Sequence, residues 1–162
     1  MSRTKSARSG RPPAARRTPA GTAAARLAQA ERLAGGLAAL ARGLPNPWDE
    51  STDYFHGFVA ALPASTALGA ESLRAALGIG ARYQIDLAPA ADALARLGVA
   101  GSGWSEDVAG GFRQLAQVMG ATIRELSLAF ARGKGVVRVR VWLFGRTEDG
   151  TLVGLRSIGT ET

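Results

Sequence analysis

The sequence holds one imidazole and no thiol, so any metal site would have to use oxygen ligands and His56. The absence of cysteine removes disulfides and thiolate ligands together. His56 lies in an apolar run, Tyr54–Leu62 (YFHGFVAAL), with no carboxylate nearer in sequence than Asp53. A general base needs a partner to orient it, and the plainer reading of this residue is a structural histidine in a strand. Asp49, Glu50 and Asp53 carry hard oxygens that suit a divalent cation, but the spacing and the glycine of a calcium-binding loop are missing, which favours a solvated acidic loop. Gly78-Ile79-Gly80 has neither the third glycine of a dinucleotide fingerprint nor the Lys-Ser/Thr of a phosphate loop. No catalytic constellation emerges. The expectation is a binding protein, not an enzyme, with no cofactor and no metal of its own.

Charge divides the chain. The formal net charge is +7 over 162 residues, and residues 1–32 account for all of it, because acidic and basic side chains cancel over 33–162. Residues 1–20 have no large aliphatic or aromatic side chain beyond Met1, so they cannot bury enough apolar surface to offset the entropy of ordering. They are expected to be a disordered basic arm. Arg3, Lys5, Arg8, Arg11, Arg16 and Arg17 make it either a solvated extension or a sequence-independent binder of nucleic-acid phosphates, and its composition also suits a transit peptide. The remainder, 21–162, has the length of one domain. No apolar run reaches the roughly eighteen residues of a membrane span, and no signal-peptide core follows the N-terminal charges, so a cytoplasmic protein is expected.

Periodicity supplies the elements. Gly21 to about Gly43 is alanine-rich, with Leu27, Leu33, Leu37, Leu40 and Leu44 at helical spacing, and Leu44-Pro45-Asn46-Pro47 ends it. Gly35-Gly36 within this helix suggests a close contact or a kink, and Gly57 within the apolar run suggests a bulge. Ala70–Leu77 reads as a short helix stopped by Gly78. Tyr83–Leu87 is extended, and Asp86 is placed to cap a helix over roughly Ala88–Leu97. A last long helix is predicted from Ser105, its N-cap, to about Arg132, with Phe112, Leu115, Met119, Ile123, Leu126 and Phe130 as its buried stripe.

The end of the chain reads most clearly. Val137, Val139, Val141 and Leu143 alternate with Arg138, Arg140, Trp142 and Phe144, then Glu148-Asp149-Gly150 turns the chain back through Leu152, Val153 and Leu155. Asp-Gly between two alternating apolar runs is a strong hairpin signal. Bulky apolar residues on both faces predict a sheet covered by helices on each side. Gly159-Thr160-Glu161-Thr162 is expected to leave the sheet as a free tail.

These patterns resemble the nuclease A inhibitor-like proteins of bacteria. The match is tightest over Val139–Thr162, where V-x-V-x-x-x-G-x-T-x-x-G-x-L-x-G is followed by Glu161-Thr162. It extends more loosely through Gly36-Leu37, Pro47-Trp48, Tyr83–Leu97, Trp104 with the acidic residues after it, and Phe112-Arg113-Gln114-Leu115. The resemblance implies an α/β fold, a three-layer α-β-α sandwich with a mainly antiparallel sheet and a C-terminal β-hairpin. It also implies inhibition of a magnesium-dependent, sugar-non-specific endonuclease. In that family the final threonine enters the nuclease active site near the metal, which here is Thr162 with Glu161 beside it, and the tryptophan before the long helix corresponds to Trp104. Asp49 and Glu50 are the candidates for an acidic patch facing the enzyme. Where the family has a glutamate after its first helix, this chain has Arg42 or Gly43. The alternative for Trp104 is a residue wedged into the core, and the alternative function is a nucleic-acid-associated accessory protein held by the basic arm.

Overall fold

The C-terminal hairpin forms the middle of the molecule. In the computed structural model, which describes residues 21–48, 54–99, 101, 103–135 and 138–160, strand β4 (Arg138–Arg146) pairs antiparallel with β5 (Leu152–Thr160). Asp149 and Gly150 lie in the turn between them, and Gly150 has φ +91°, a conformation glycine adopts without strain. The other strands are β1 (His56–Ala60), β2 (Tyr83–Pro89) and β3 (Arg124–Gly133). Together they make a five-stranded antiparallel sheet in the order β1-β5-β4-β3-β2. The helices are α1 (Ala23–Leu40), α2 (Ala70–Leu77), α3 (Ala91–Leu97) and α4 (Glu106–Thr122).

Alternation along the central strands divides the core in two, as the period of a strand requires. Val139, Val141, Leu143, Val153 and Leu155 belong to a core shared with α1, α3 and α4, through residues such as Leu37, Leu94, Phe112, Leu115 and Met119. Trp142, Phe144 and Leu152 belong to a second core with Tyr83, Ile85 and Leu73 of α2. Helices therefore cover both faces of the sheet, three on one and a short one on the other. Among the described residues, no helix is long and apolar enough to cross a membrane.

The caps follow local chemistry. Thr22 Oγ1 accepts the Ala25 N–H at the start of α1, Ser105 Oγ accepts the Val108 N–H at the start of α4, and Gly78 closes α2.

Several expectations are corrected. The long final helix stops at Thr122, and Arg124–Gly133 is a strand. Leu126 and Phe130 fit the helical stripe but also, with Leu128 between them, a period of two, and pairing on both sides, with β2 and β4, decides in favour of the strand. Asp86 caps nothing. It lies within β2, with Oδ2 2.7 Å from Arg132 Nη1, and Ala90 precedes α3. Gly57 is not at a bulge, because β1 pairs with β5 without a break, so its bareness has another cause. A Cβ there would lie 2.4 Å from the Ala34 carbonyl oxygen, so the glycine lets α1 lie against β1. The buried residues of α1 are mostly small, Ala30 and Ala34 with Leu37, while Leu27 of the expected stripe is half exposed. Gly35 and Gly36 face outward with nothing near them, and α1 runs through them. Finally, Gly159 and Thr160 do not leave the sheet. They pair with Val139 and Arg138 as the last residues of β5.

Candidate functional site

Chain connections divide the molecule into two ends. At one end lie the β4–β5 turn and the start of α1, where Arg26 Nε is 3.9 Å from Asp149 Oδ2. Arg146 belongs to the same end. Its guanidinium donates to the carbonyls of Pro63 and Ala64 at 3.2 Å and also to that of Thr66, closing the connection after β1. Its Nε is 3.0 Å from Glu125 Oε2, near enough for an ion pair though not aligned as a hydrogen bond. This arginine is a fastening between loops.

The opposite end gathers described residues that border the segments the sequence marked as candidates. After α1 the chain crosses to the far half of β5, where buried Asn46 donates through Nδ2 to Ser157 Oγ at 3.4 Å and accepts the Trp48 N–H on Oδ1 at 3.1 Å. Leu44, just before it, contacts α4 at Gly111. The C-terminal end of α4 lies at the turn end, since Ile123 packs against Gly145, so its N-terminal half and Trp104 share an end with Asn46 and the close of β5. Asn46 was not anticipated as a positioning residue. Its only signal in the sequence is a polar residue between two prolines.

Trp104 is half buried, its ring 6.2 Å from that of fully buried Phe112 at an interplanar angle of 51°. It thus packs on the core while keeping an exposed part. Trp48 is also half buried and meets Phe55 edge-on at 6.4 Å. Between Trp104 and the body of α4, Glu106 and Asp107 are exposed, and Glu106 pairs with Arg113, which also donates to the Gly98 carbonyl at 2.7 Å. Arg113 therefore ties the first turn of α4 to the end of α3. Arg42 and Gly43 are exposed. Asp49, Glu50, Asp53, Glu161, Thr162 and the arm residues Arg3, Lys5, Arg8, Arg11, Arg16 and Arg17 lie outside the described residues. So do Met1 and Val137.

His56 stands apart from this end's tryptophans. It is exposed at the start of β1, directly across from Arg156 on β5, and it lines a cleft of about 510 Å³ on the α2 face. Its neighbour across the strands is a cation, not the carboxylate that a catalytic histidine would use as an orienting group. Among the described residues no three His, Asp or Glu side chains come together as a metal-binding group.

Fold and site together define a class: an α/β protein with a central antiparallel hairpin and an exposed cluster of loops at one end of it. Comparison with known proteins goes no further, since no family model and no curated protein matches the chain.

Proposed function

We propose that this protein inhibits a magnesium-dependent, sugar-non-specific endonuclease, inserting Glu161 and Thr162 toward the enzyme's metal with Trp104 as an aromatic anchor. The observation that carries this reading is convergence. The candidate contact residues Asp49 and Glu50, Trp104, and Glu161 and Thr162 are far apart in sequence, yet Trp104 itself and the described residues Trp48 and Thr160, which border the other two pairs, belong to one end of the molecule. The hairpin gives the tail a rigid base, because β5 is hydrogen-bonded as far as Thr160, only two residues before Thr162. A threonine hydroxyl and carboxylate oxygens are hard donors of the kind Mg²⁺ accepts in place of substrate phosphate. Partly exposed Trp104, backed by Phe112, has the form of an interface anchor, and Glu106 and Asp107 add negative charge beside it.

The test is an inhibition assay against such an endonuclease with the whole chain, a chain lacking Glu161-Thr162, and Trp104→Ala. Removing the dipeptide should weaken inhibition at least about tenfold, equivalent to ~1.4 kcal/mol, and Trp104→Ala by a similar factor. Equal potency of the shortened chain would reject the mechanism.

A further inference from the structure

The α2 face holds a site that the proposed inhibitor function does not use. Helix α2 is eight residues long and covers only part of the sheet, leaving the 510 Å³ cleft between its last turn and the β1-β5-β4 surface. Ala60 and Ala76 line it, and their small side chains help keep the space open. The volume falls within the roughly 300–1,000 Å³ of small-molecule sites.

The lining has two kinds of chemistry. Register places Arg156 opposite both His56 and Trp142, and Arg140 opposite Ile158, so the two arginines are diagonal neighbours on one face. Such neighbours stand about 7–8 Å apart at the backbone, a span over which two guanidiniums can grip one phosphate. Arg140 is steadied by the Tyr83 ring, whose centroid is 5.3 Å from the guanidinium carbon. Among the described residues neither arginine has a carboxylate partner, and no acidic side chain lines the cleft. Two cationic side chains lining one cleft, with no acidic side chain among the lining residues, favour an anion there.

The second kind is apolar and aromatic. Of the five large hydrophobic residues exposed on the described chain, two, Tyr54 and Ile158, are at this cleft. Phe58 and Phe144 lean together behind them with ring centroids 6.3 Å apart. They meet over Gly154, the residue between them in the sheet register, where a Cβ would come within 2.7 Å of the Phe144 side chain. Exposed Tyr54 and Ile158 give the cleft an aromatic and apolar surface on which a flat ring can lie, which a hydrated inorganic ion would not use.

We infer that this cleft binds a nucleoside monophosphate group, its phosphate held by Arg140 and Arg156 and its base lying against Tyr54 and Ile158. The site is on the sheet face opposite Trp104 and is independent of the inhibitor reading. Either can fail while the other stands. The same group could arrive as a free nucleotide or as the phosphorylated end of a single strand.

Titration calorimetry on the full chain tests the inference, using adenosine 5′-monophosphate, adenosine, inorganic phosphate and a short 5′-phosphorylated single strand. Adenosine 5′-monophosphate should bind saturably, with adenosine and phosphate each at least tenfold weaker. Arg156→Gln and Arg140→Gln should each weaken binding about fivefold or more, whereas Arg96→Gln, at an exposed position of α3, should not. A strand that binds no more tightly than the mononucleotide assigns the free nucleotide, and a tighter strand that remains sensitive to Arg156→Gln assigns a strand end. Binding unchanged in both cleft variants would locate it in the basic arm, which all these proteins retain, and would overturn the inference. So would the absence of saturable binding.

Discussion

The two faces of the sheet differ in how completely they are covered. On one, α1, α3 and α4 bury Phe112, Leu115, Met119, Leu37 and Leu94 against Val141, Leu143 and Leu155. On the other, α2 contributes Leu73 as its single buried residue and leaves Arg140, Arg156 and His56 along an open cleft. Buried apolar area is the main favourable term in folding. The three-helix face therefore supplies most of the stability, and the α2 face is freer to retain charged groups for binding. A central hairpin serves both, because Val141 and Leu143 face one core while Trp142 and Phe144 face the other.

Truncation on the two faces can break this comparison. Phe112→Ala should have the largest effect, roughly 3–5 kcal/mol lost in urea unfolding, since the ring is fully buried between α4 and the sheet. Leu73→Ala should cost less, about 2–3 kcal/mol, because a short helix beside an open cleft can settle into the space left. If Leu73→Ala proves the more costly, the assignment of stability to the three-helix face is wrong. Ala76→Leu, at the cleft wall, sharpens the point: stability should stay within about 1 kcal/mol of the parent while nucleotide binding is lost.

The smallest effect concerns pH at the turn that joins hairpin and α1. The Thr147 hydroxyl, donating to Asp149, holds that carboxyl below its ordinary value of 3.8; burial opposes it, and the weaker effects of Thr151 and nearby Arg26 act with the hydroxyl. A lowered folded-state pKa means that Asp149 contributes stability above the unfolded value and loses it as pH falls through the folded one. Asp149→Asn should therefore lose less stability than the parent as pH falls through and below the ordinary carboxyl value of 3.8, as followed by thermal melting. An unchanged acid slope would show that the turn contributes nothing to the pH dependence of folding.

Legibility in the sequence followed the range of the interactions. The hairpin, Ala70–Leu77 as a helix, Gly78 as its stop and Ser105 as a cap were readable because each depends on residues a few positions apart. β3 was not, since Leu126 and Phe130 continue the spacing of Phe112, Leu115 and Met119 across the true end of the helix. Asp86 was misread for a related reason: its partner Arg132 is 46 positions away. The candidate site divides in the same way. Trp104 was visible as an aromatic residue before a helix N-cap, but Asn46 and the pairing of His56 with Arg156 depend on contacts that no local pattern encodes.

By itself the sequence determined the alternation that lets two strands face two cores, the turn at Asp149-Gly150, the concentration of charge in residues 1–32 and the absence of thiol chemistry. Each is a property of neighbouring side chains or of composition. The tertiary structure alone decided that Arg124–Gly133 pairs as a strand, that α1 approaches β1 through Ala34 and Gly57, and that one short helix leaves two arginines together over a cleft. These outcomes depend on which surfaces meet after the chain has closed its long loops, and that is settled by packing between distant segments.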